Sequence, residues 1–366
     1  GTRQYNATTD VEAANITLTG LQGGEDLTVT GDGSISSGNV GAGKTANFSG
    51  LTLGNGVSGT AGTASNYTFT GGTHTFDVTQ RVLNSSGSKT YDGNTNALAS
   101  AITLSNLAST ETLVDSGTAT ISSANVGSYT ISNLTGVSIA DGTNGGLASN
   151  YTLTGGTHNF TVNQAPISFT GSRQYDGSTN ANNSDLTLSG LISSQTLTLS
   201  GTGVISSANV GSGKPVTLNT LSLADNSGLA ANYTFTGGTH TLNVTKRILN
   251  SSGSKTYDAN TNALAGAITL SNLVSGEALN HSGTATISSA NAGSYTISNL
   301  TGISIADGSG GTASNYTLTG GTHNFTVNQR PLNATLARQY DGTTNAAGST
   351  LSSLDALQGG ETLTMT

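Results

Sequence analysis

The sequence predicts an all-β protein, a linear tandem array of small antiparallel β-sandwich-like modules of about 83 residues each. Three observations support this fold class. Similar stretches return at regular intervals, runs of alternating apolar and polar residues fill those intervals, and only 8% of the 366 residues are charged. An ordinary soluble domain is about 25% charged, and a disordered chain combines low hydrophobicity with high net charge. Because 33% of the residues are apolar, threonine-rich folded β structure is the better interpretation.

The first repeat marker is "SKTYDGNTNALA" at residues 88–99, and four variants of it begin at residues 2, 172, 254 and 337. The marker tyrosines are spaced 86, 84, 82 and 83 residues apart, and they are Tyr5, Tyr91, Tyr175, Tyr257 and Tyr340. The residues that follow them are Asp92 and Gly93, Asp176 and Gly177, Asp258, and Asp341 and Gly342, whereas Asn6, Ala7 and Ala259 depart from the pattern. A solenoid repeat has about 20 to 50 residues, so this longer period indicates separate small domains.

Two further markers keep the same order within every repeat. The stretch "SNYTFTGGTHTFDVT" at residue 65 returns three times, and its copies carry Tyr67, Tyr151, Tyr233 and Tyr316. The stretch "ISSGNVG" at residue 35 returns at residues 121, 205 and 287. The markers therefore predict four modules, 1–80 (without its first strand), 81–164, 165–246 and 247–329, followed by a truncated fifth module at 330–366.

Each module is predicted to consist of strands. In module 2 the runs "AITLSNL", "TATIS", "SYTISNL", "GVSIA", "NYTLT" and "THNFTVN" alternate apolar residues with Thr, Ser or Asn, which is the period of a strand with one solvated face. With the run that leads into Tyr91, this gives about seven short strands, as in antiparallel sandwiches. The paired glycines of "TGGT" predict a hairpin between the last two runs. Both Ig-like and β-grasp-like arrangements fit this pattern.

The boundaries between modules contain no glycine- and serine-rich linker, and Pro166 and Pro331 lie two residues beyond two of them. Proline is tolerated at the start of a strand, and short linkers restrict the motion of neighbouring domains. Strands of about ten residues would give each module roughly 30–40 Å, and four modules a semi-rigid rod on the order of 150 Å.

The stretch Tyr91-Asp92-Gly93 is predicted to be a structural turn. The aspartate can accept backbone N–H groups one or two residues on, and glycine accepts a left-handed φ. The tyrosine would bury its ring while its hydroxyl finds a polar partner. Because Asn6 replaces the aspartate in module 1, we expect no site that depends on its charge.

No cofactor or metal site is predicted. One histidine per module, at positions 74, 158, 240 and 323, lacks the further ligands that a metal requires, so we expect hydrogen-bonded strand residues. Asp141, Asp225 and Asp307 are weak calcium candidates, since each offers a single carboxylate where calcium takes several oxygen ligands. Asn55 replaces this aspartate in module 1.

Charge and composition narrow the classes of function. The net charge is −8 and the 11 basic residues are scattered, so nucleic acid is not an expected partner. No apolar run approaches the ~20 residues of a spanning helix, and we expect no membrane insertion. Serine is so abundant that a Ser/His/Asp combination carries no weight, and no distinct His, Asp and Glu constellation occurs. The sequence therefore predicts a protein that is not an enzyme.

The order "KTYDGNTNA", "NVGSYT" and "ASNYTLTGG" is similar to the YDG-type, MBG-related repeat modules of large bacterial haemagglutinin-like surface adhesins, and the likeness extends over the whole chain. The resemblance implies a protein secreted across the outer membrane to the bacterial cell surface, in which such modules form a stalk. It supplies no catalytic residues.

The predicted function is a structural stalk segment of such an adhesin, a semi-rigid spacer that projects an adhesive tip for attachment or biofilm formation. Its expected partners are the neighbouring modules of the same chain, with host or matrix glycans or proteins contacted through other regions. One alternative is that the modules themselves bind glycan or protein, which predicts a repeated exposed aromatic patch. A further alternative is an ice-binding threonine-rich surface, suggested by Thr-x-Thr stretches such as "LTLTG".

Overall fold

Short strands and single-turn 3-10 helices make up the chain in the computed structural model, which describes residues 1–344, 350–355 and 357–363. The elements of residues 1–80 are β1 (Thr2–Gln4), β2 (Asp10–Glu12), η1 (Ala13–Asn15), β3 (Leu27–Ile35), β4 (Gly41–Asn47), β5 (Leu51–Asn55), η2 (Ala64–Asn66) and β6 (Thr75–Thr79). Those of residues 81–164 are β7 (Arg81–Val82), β8 (Asn84–Thr90), β9 (Asn96–Leu98), η3 (Ala99–Ala101), β10 (Ile102–Ser105), β11 (Leu113–Ile121), β12 (Gly127–Asn133), β13 (Val137–Asp141), η4 (Ala148–Asn150), β14 (Tyr151–Thr152) and β15 (His158–Asn163).

The same order returns in the rest of the chain. Residues 165–246 contain β16 (Ala165–Pro166), β17 (Ser168–Gln174), β18 (Asn180–Asn182), η5 (Asn183–Asp185), β19 (Leu186–Ser189), β20 (Leu197–Ser200), β21 (Thr202–Ile205), β22 (Gly211–Thr217), β23 (Ser222–Asp225), η6 (Ala230–Asn232), β24 (Tyr233–Thr234) and β25 (His240–Thr245). Residues 247–329 contain β26 (Arg247–Ile248), β27 (Asn250–Thr256), β28 (Asn262–Leu264), η7 (Ala265–Ala267), β29 (Ile268–Ser271), β30 (Leu279–Ile287), β31 (Gly293–Asn299), β32 (Ile303–Asp307), η8 (Ala313–Asn315), β33 (Tyr316–Thr317) and β34 (His323–Asn328), and β35 (Asn333–Ala337) and β36 (Thr350–Asp355) follow.

By its internal contacts the chain divides into two compact units. The first comprises Gly1–Pro166, Leu191–Leu197 and Asp225–Gly237. The second comprises Ile167–Gly190, Thr198–Ala224 and Gly238–Thr366. The first unit thus holds modules 1 and 2 with three short segments of module 3, namely residues 165–166, 191–197 and 225–237, and the second holds the remainder. The all-β fold class and the tandem modules are as predicted.

Module 2 illustrates the sheet topology. Its main sheet has the strand order β10-β8-β15-β12-β11-β13, and β9 also pairs with β11. The first long strand β8 runs parallel to the last strand β15, whereas the other pairs of this sheet are antiparallel. The same parallel pair occurs as β1–β6, β17–β25 and β27–β34. The predicted antiparallel sandwich is therefore a mixed arrangement, closed by pairing the two ends of each module.

The predicted "TGGT" hairpin is wrong. In module 2, β14 pairs in parallel with β7 at the start of the module, and β15 pairs with β8 and β12. Gly155 does have a positive φ of 87°, so the glycine pair does reverse the chain. A glycine turn in the sequence predicts that the chain reverses, but it does not predict which strands pair. Here the two strands on either side of the turn pair with other strands.

Module 1 was predicted to lack its first strand, but it contains a short one. Its β1 pairs in parallel with β6, from Thr2↔Asp77 to Gln4↔Thr79. In module 2 the equivalent strand β8 spans Asn84–Thr90. Module 1 therefore has the last residues of this strand rather than lacking it.

One glycine per module lies where a long strand changes its pairing partner. In β11, residues Leu113 to Gly117 pair with β13, and the following residues pair with β9. Gly117 has φ 98°, and a Cβ at this position would lie 2.0 Å from the carbonyl oxygen of Gly136. Only glycine fits so close to a neighbouring backbone. Gly31, Gly201 and Gly283 hold the equivalent position.

The core of each module is built from alternating strand residues. On β15, Phe160 and Val162 are each 1% exposed, and on β34 Phe325 is 1% and Val327 2% exposed. The core cluster of module 4 consists of Ala263, Ala265, Ile268, Ala285, Ile287, Ile297, Ile303, Phe325 and Val327. In the first unit, one apolar cluster continues from module 1 into module 2 through Tyr5, Val78, Leu83, Ala108 and Tyr151. The boundary between these modules is thus part of a core.

Candidate functional site

The YDG marker forms a turn closed by its own side chains. Asp92 Oδ1 accepts the N–H of Asn94 at 3.1 Å and the Nζ of Lys89 at 2.8 Å. The same two contacts join Asp176 to Ser178 and Arg173, Asp258 to Asn260 and Lys255, and Asp341 to Thr343 and Arg338. Burial alone would raise the pKa of Asp92, but the hydrogen bonds from Lys89 and Asn94 lower it below its ordinary value.

The modules in which residues depart from the motif form the same turn. In module 1 the amide oxygen of Asn6 accepts the N–H of Thr8 and a hydrogen bond from Arg3. The third residue of the marker has a left-handed φ throughout: Ala7 66°, Gly93 79°, Gly177 76°, Ala259 61° and Gly342 73°. An amide thus replaces the carboxylate and alanine replaces glycine without a change of backbone, which is the behaviour of a turn.

The tyrosine of the first YDG marker reaches across the boundary into the next module. Tyr5 is 3% exposed, and its hydroxyl donates to Glu111 Oε1 at 2.5 Å. Tyr151 of module 2 donates to Glu111 Oε2, also at 2.5 Å, and accepts the N–H of Ala108 at 3.0 Å. The rings of Tyr5 and Tyr151 meet edge to face, with centroids 5.4 Å apart at 79°. One buried carboxylate therefore bridges two tyrosines from neighbouring modules, and such charge-assisted hydrogen bonds are strong.

The next boundaries repeat this arrangement. Between modules 3 and 4, Tyr175 and Tyr316 donate to the two oxygens of Glu277 at 2.5 and 2.6 Å, and their rings lie 5.5 Å apart at 80°. Between modules 2 and 3, the rings of Tyr91 and Tyr233 lie 5.4 Å apart at 79°. Beyond module 4, Tyr257 donates to Glu361.

The boundary between modules 2 and 3 uses an amide in place of the carboxylate. Gln195 Nε2 donates to the hydroxyl of Tyr91 at 2.7 Å, and the hydroxyl of Tyr233 donates to Gln195 Oε1 at 2.6 Å. The ring geometry is unchanged, so the arrangement requires two tyrosines and a planar bridging group. It does not require a negative charge on that group.

Burial first, and the hydrogen bond to Glu111 second, raise the pKa of Tyr5 to about 12. The same causes raise the pKa of Tyr151 to about 12, and burial together with Glu277 raises that of Tyr175 to about 12. The pKa values of Tyr233 and Tyr316 are also raised, mainly by burial. These hydroxyls are therefore protonated at neutral pH, as they must be to donate.

The third marker closes the same boundary through an amide clamp. Asn150 is 0% exposed; its Oδ1 accepts the N–H of Val40 at 2.9 Å, and its Nδ2 donates to Asn39 Oδ1 at 3.0 Å. Asn39 and Val40 belong to the "ISSGNVG" marker. Equivalent clamps join Asn232 to Asn125 and Val126, and Asn315 to Asn209 and Val210. All three sequence markers thus meet at the boundary between modules, which we call the junction.

An arginine accompanies the glutamate at the junctions. Arg81 Nη1 donates to the carbonyl of Tyr5 at 3.3 Å, and its Nε donates to the carbonyl of Asn106 at 2.6 Å. Arg247 makes the same contacts with Tyr175 and Asn272. Module 3, whose bridging residue is Gln195, has Ala165 at this position. In modules 2, 3 and 4 the cation and the carboxylate are thus present together or absent together.

The histidines at the repeated position make their contacts within their own modules. His158 bonds Ser85 Oγ through Nδ1 at 2.9 Å and the carbonyl of Leu153 through Nε2 at 2.8 Å. His323 makes the same pair of bonds with Ser251 and Leu318. His74 and His240 stack on Phe48 and Phe169. His158 and His323 are buried, whereas His74 and His240 are half-buried.

Each calcium candidate instead accepts a backbone N–H within its own loop. Asp141 Oδ1 accepts from Ala148, Asp225 Oδ1 from Ala230 and Asp307 Oδ1 from Ala313, all at 2.7 Å. Asn55 makes the equivalent bond to Ala64 at 2.8 Å in module 1. Within the described part of the chain, no cluster of three or more His, Cys, Asp or Glu residues could hold a metal.

Sequence reasoning identified the tyrosines but missed the residues that bridge them. Each bridging residue ends a five-residue stretch at one repeat position: "LQGGE", "LASTE", "LISSQ", "LVSGE" and "LQGGE", ending at residues 25, 111, 195, 277 and 361. A leucine followed four residues later by Glu or Gln is the signal that could have found them, because only 19 acidic residues occur in the chain.

The repeated modules and their tyrosine junctions define the protein as a tandem all-β repeat protein whose markers serve to join neighbours. The chain belongs to the YDG domain family: the family model matches residues 1–75, 78–159, 158–242 and 239–323. No curated protein gives a significant match to the chain. None of the helices in the described residues has the length and apolar character that crossing a membrane requires.

Proposed function

We propose that this chain is a structural stalk segment of a secreted bacterial cell-surface adhesin of the haemagglutinin-like, MBG-related kind. In this role it acts as a semi-rigid spacer that projects an adhesive tip for attachment or biofilm formation. Its location is extracellular, after secretion across the outer membrane, and it has no catalytic role. Host or matrix glycans or proteins would be contacted by other regions of the full protein.

The observation that carries the proposal is the recurrence of one junction. Tyrosine pairs with centroids 5.4 to 5.5 Å apart and ring angles of 79° to 80° occur at three successive boundaries. A spacer requires neighbouring modules to be coupled in the same way each time, since only then do orientation and length add regularly along the chain. Flexible tethering would require no buried residues at the boundaries.

The alternative that the modules themselves bind glycan or protein requires a repeated exposed aromatic surface. The marker tyrosines of the internal junctions, Tyr5, Tyr91 and Tyr175, are only 3 to 5% exposed, and their partners Tyr151, Tyr233 and Tyr316 only 1 to 2%. The aromatic residues that repeat are thus occupied in joining modules, and we favour the spacer.

Small-angle X-ray scattering on the chain tests the proposal. The spacer predicts a stiff particle on the order of 150 Å long, from strands of about ten residues at ~3.3 Å rise per residue. A maximum dimension near that of a compact sphere of the same mass would contradict it. A long but highly flexible particle would do so as well, because uncoupled modules could not project a tip.

A further inference from the structure

Module 1 contains one half of a junction, preformed and uncovered. The hydroxyl of Tyr67 donates to Glu25 Oε2 at 2.5 Å and accepts the N–H of Gln22 at 3.1 Å. These contacts copy those among Tyr151, Glu111 and Ala108 in module 2. We call Gln22, Glu25, Asn66 and Tyr67 the acceptor face of module 1.

The acceptor face differs from its counterparts in exposure. Asn150, Asn232 and Asn315 are 0 to 2% exposed, whereas their equivalent Asn66 is exposed and Tyr67 is only half-buried. The internal hydrogen bonds are the same, so the difference arises from what lies on the face. In modules 2, 3 and 4 the cover is always a YDG tyrosine with the Asn-Val pair of the third marker. We call these covering residues the donor edge.

We propose that the acceptor face of module 1 binds the donor edge of another YDG module. Glu25 Oε2 already holds the hydroxyl of Tyr67, and Oε1 is the counterpart of the atom that receives Tyr5 on Glu111. The amide of Asn66 is free to make the clamp that Asn150 makes with Asn39 and Val40. The chemistry required of the partner is therefore specific: a phenol hydroxyl, and an Asn-Val backbone and amide placed beside it.

The donor edge is interchangeable among modules, which supports binding of any YDG module. Tyr5, Tyr91, Tyr175 and Tyr257 come from four different modules, yet each bonds the bridging residue of the following module. The acceptors also vary between Glu111 and Gln195 without a change in ring geometry. Neither the donor edge nor the acceptor face is thus specific for one particular neighbouring module.

The test extends the chain by a copy of its own residues 165–252, placed directly before Gly1. Gly253 and Gly1 occupy the same repeat position, so the copy supplies a donor edge, the connecting strand and the correct spacing to module 1. Hydroxyl-radical footprinting read by mass spectrometry then measures the accessibility of Tyr67. The expected result is that oxidation of Tyr67 falls to the level of Tyr151 in the same molecule.

A matched control carries Tyr→Ala at the copy's equivalent of Tyr175, and it should restore oxidation of Tyr67 to the level of the unextended chain. A second extension, made from residues 81–170, repeats the test with a different donor edge, so that one poorly folded extension does not decide it. Oxidation of Tyr67 that is equal with and without both extensions, while Tyr151, Tyr233 and Tyr316 stay protected, would overturn the proposal. This inference deepens the proposed spacer function, but its failure is separate: it would leave the scattering result on the unextended chain unchanged.

Discussion

The hydroxyl of Tyr5 and the carboxylate of Glu111 lie 2.5 Å apart although 106 residues separate them in the chain. They belong to different modules, so their contact adds to the coupling of two folded units. The same relationship returns one repeat later as Tyr91 with Gln195 and two repeats later as Tyr175 with Glu277. Because the junctions repeat within a single chain, each one provides a matched comparison for the others.

Removing one hydroxyl from a junction should weaken it measurably. Tyr5→Phe keeps the ring but leaves Glu111, which is 7% exposed, with an unpaired oxygen. A buried group that loses its partner costs about 1–3 kcal/mol. We expect faster hydrogen exchange at the amide of Ala108, which donates to Tyr151 at this junction, by about tenfold for each 1.4 kcal/mol.

The control for this change is Tyr340→Phe. Tyr340 is 95% exposed, and surface substitutions usually stay within about 0.5 kcal/mol. Exchange at Ala108 should be unaffected by it. If Tyr5→Phe and Tyr340→Phe left this amide equally protected, the Tyr5 hydroxyl would have no part in holding the junction.

High pH should open the junctions before the modules lose their strands. The pKa of Tyr5, Tyr151 and Tyr175 is about 12 in the folded protein, above the ordinary value of about 10. A raised pKa means that the folded state favours the protonated hydroxyl. Its contribution is fully present below about pH 10 and is lost as the pH rises through about 12.

Tyrosinate absorbance during an alkaline titration checks this prediction. We expect a late component in the native protein that disappears in denaturant, where all tyrosines titrate near their ordinary pKa. Tyr5→Phe should reduce the late component. A single transition near pH 10 in the native protein would be incompatible with buried, hydrogen-bonded junction tyrosines.

Exchanging the bridging residues tests why arginine and glutamate occur together. Gln195→Glu places a carboxylate in a junction that has Ala165 where module 2 has Arg81. A buried charge without a compensating partner is destabilising, and we expect a cost of about 1–3 kcal/mol at this junction. Adding Ala165→Arg should recover part of it.

The reciprocal change, Glu111→Gln, should cost less, because module 3 already uses this amide with the same ring geometry. Hydrogen exchange at the amide of Ile192, which donates to Tyr233, measures the effect of Gln195→Glu with and without Ala165→Arg. Hydrogen exchange at the amide of Ala108 measures the effect of Glu111→Gln. Equal effects of Gln195→Glu with and without Ala165→Arg would show that the arginine does not compensate the carboxylate.

The alanine at the third position of the YDG turn is expected to be strained, so replacing it with glycine should stabilise its module. Ala259 has φ 61°, and the left-handed region costs a non-glycine residue about 1–2 kcal/mol. After the entropy of glycine is subtracted, Ala259→Gly should stabilise module 4 by about 0.5–1 kcal/mol. Denaturant unfolding measures the gain.

The opposite substitution provides the check. Gly93→Ala should destabilise module 2, and its new Cβ would lie 3.2 Å from Ile192 Cγ2 of the next module. A neutral Gly93→Ala together with a neutral Ala259→Gly would mean that this backbone conformation carries no strain.

The sequence identified the strands and the turns because both depend on local chemistry. The period of two in "SYTISNL" predicted a strand where β12 lies at Gly127–Asn133, and the Tyr-Asp-Gly turn followed from one side chain and one permissive residue. The two-residue strand β7 was beyond this reasoning, since two residues have no period, whereas the predicted run "NYTLT" does contain the equally short β14 (Tyr151–Thr152). Their parallel pairing is also what made the predicted "TGGT" hairpin wrong.

The junction could be predicted only in part. Burial of the Tyr5 ring with a polar partner for its hydroxyl was expected, but the partner Glu111 lies in another module and no local pattern specifies a contact over that separation. The internal repeat held the information nonetheless. The bridging position and the Asn of "SNYT" recur with the tyrosines, and positions that recur together in every module are candidates for one shared contact.

The central claim is that the tyrosine junctions fix neighbouring modules, and one distance measurement tests it most directly. The chain has no cysteine, so Thr45→Cys in module 1 and Asn159→Cys in module 2, both exposed strand positions, give unique sites for a pair of spin labels. Electron–electron double resonance should show a single narrow distance distribution that broadens markedly when Tyr5→Ala is added. A distribution that is equally broad with Tyr5 and with alanine would contradict the claim.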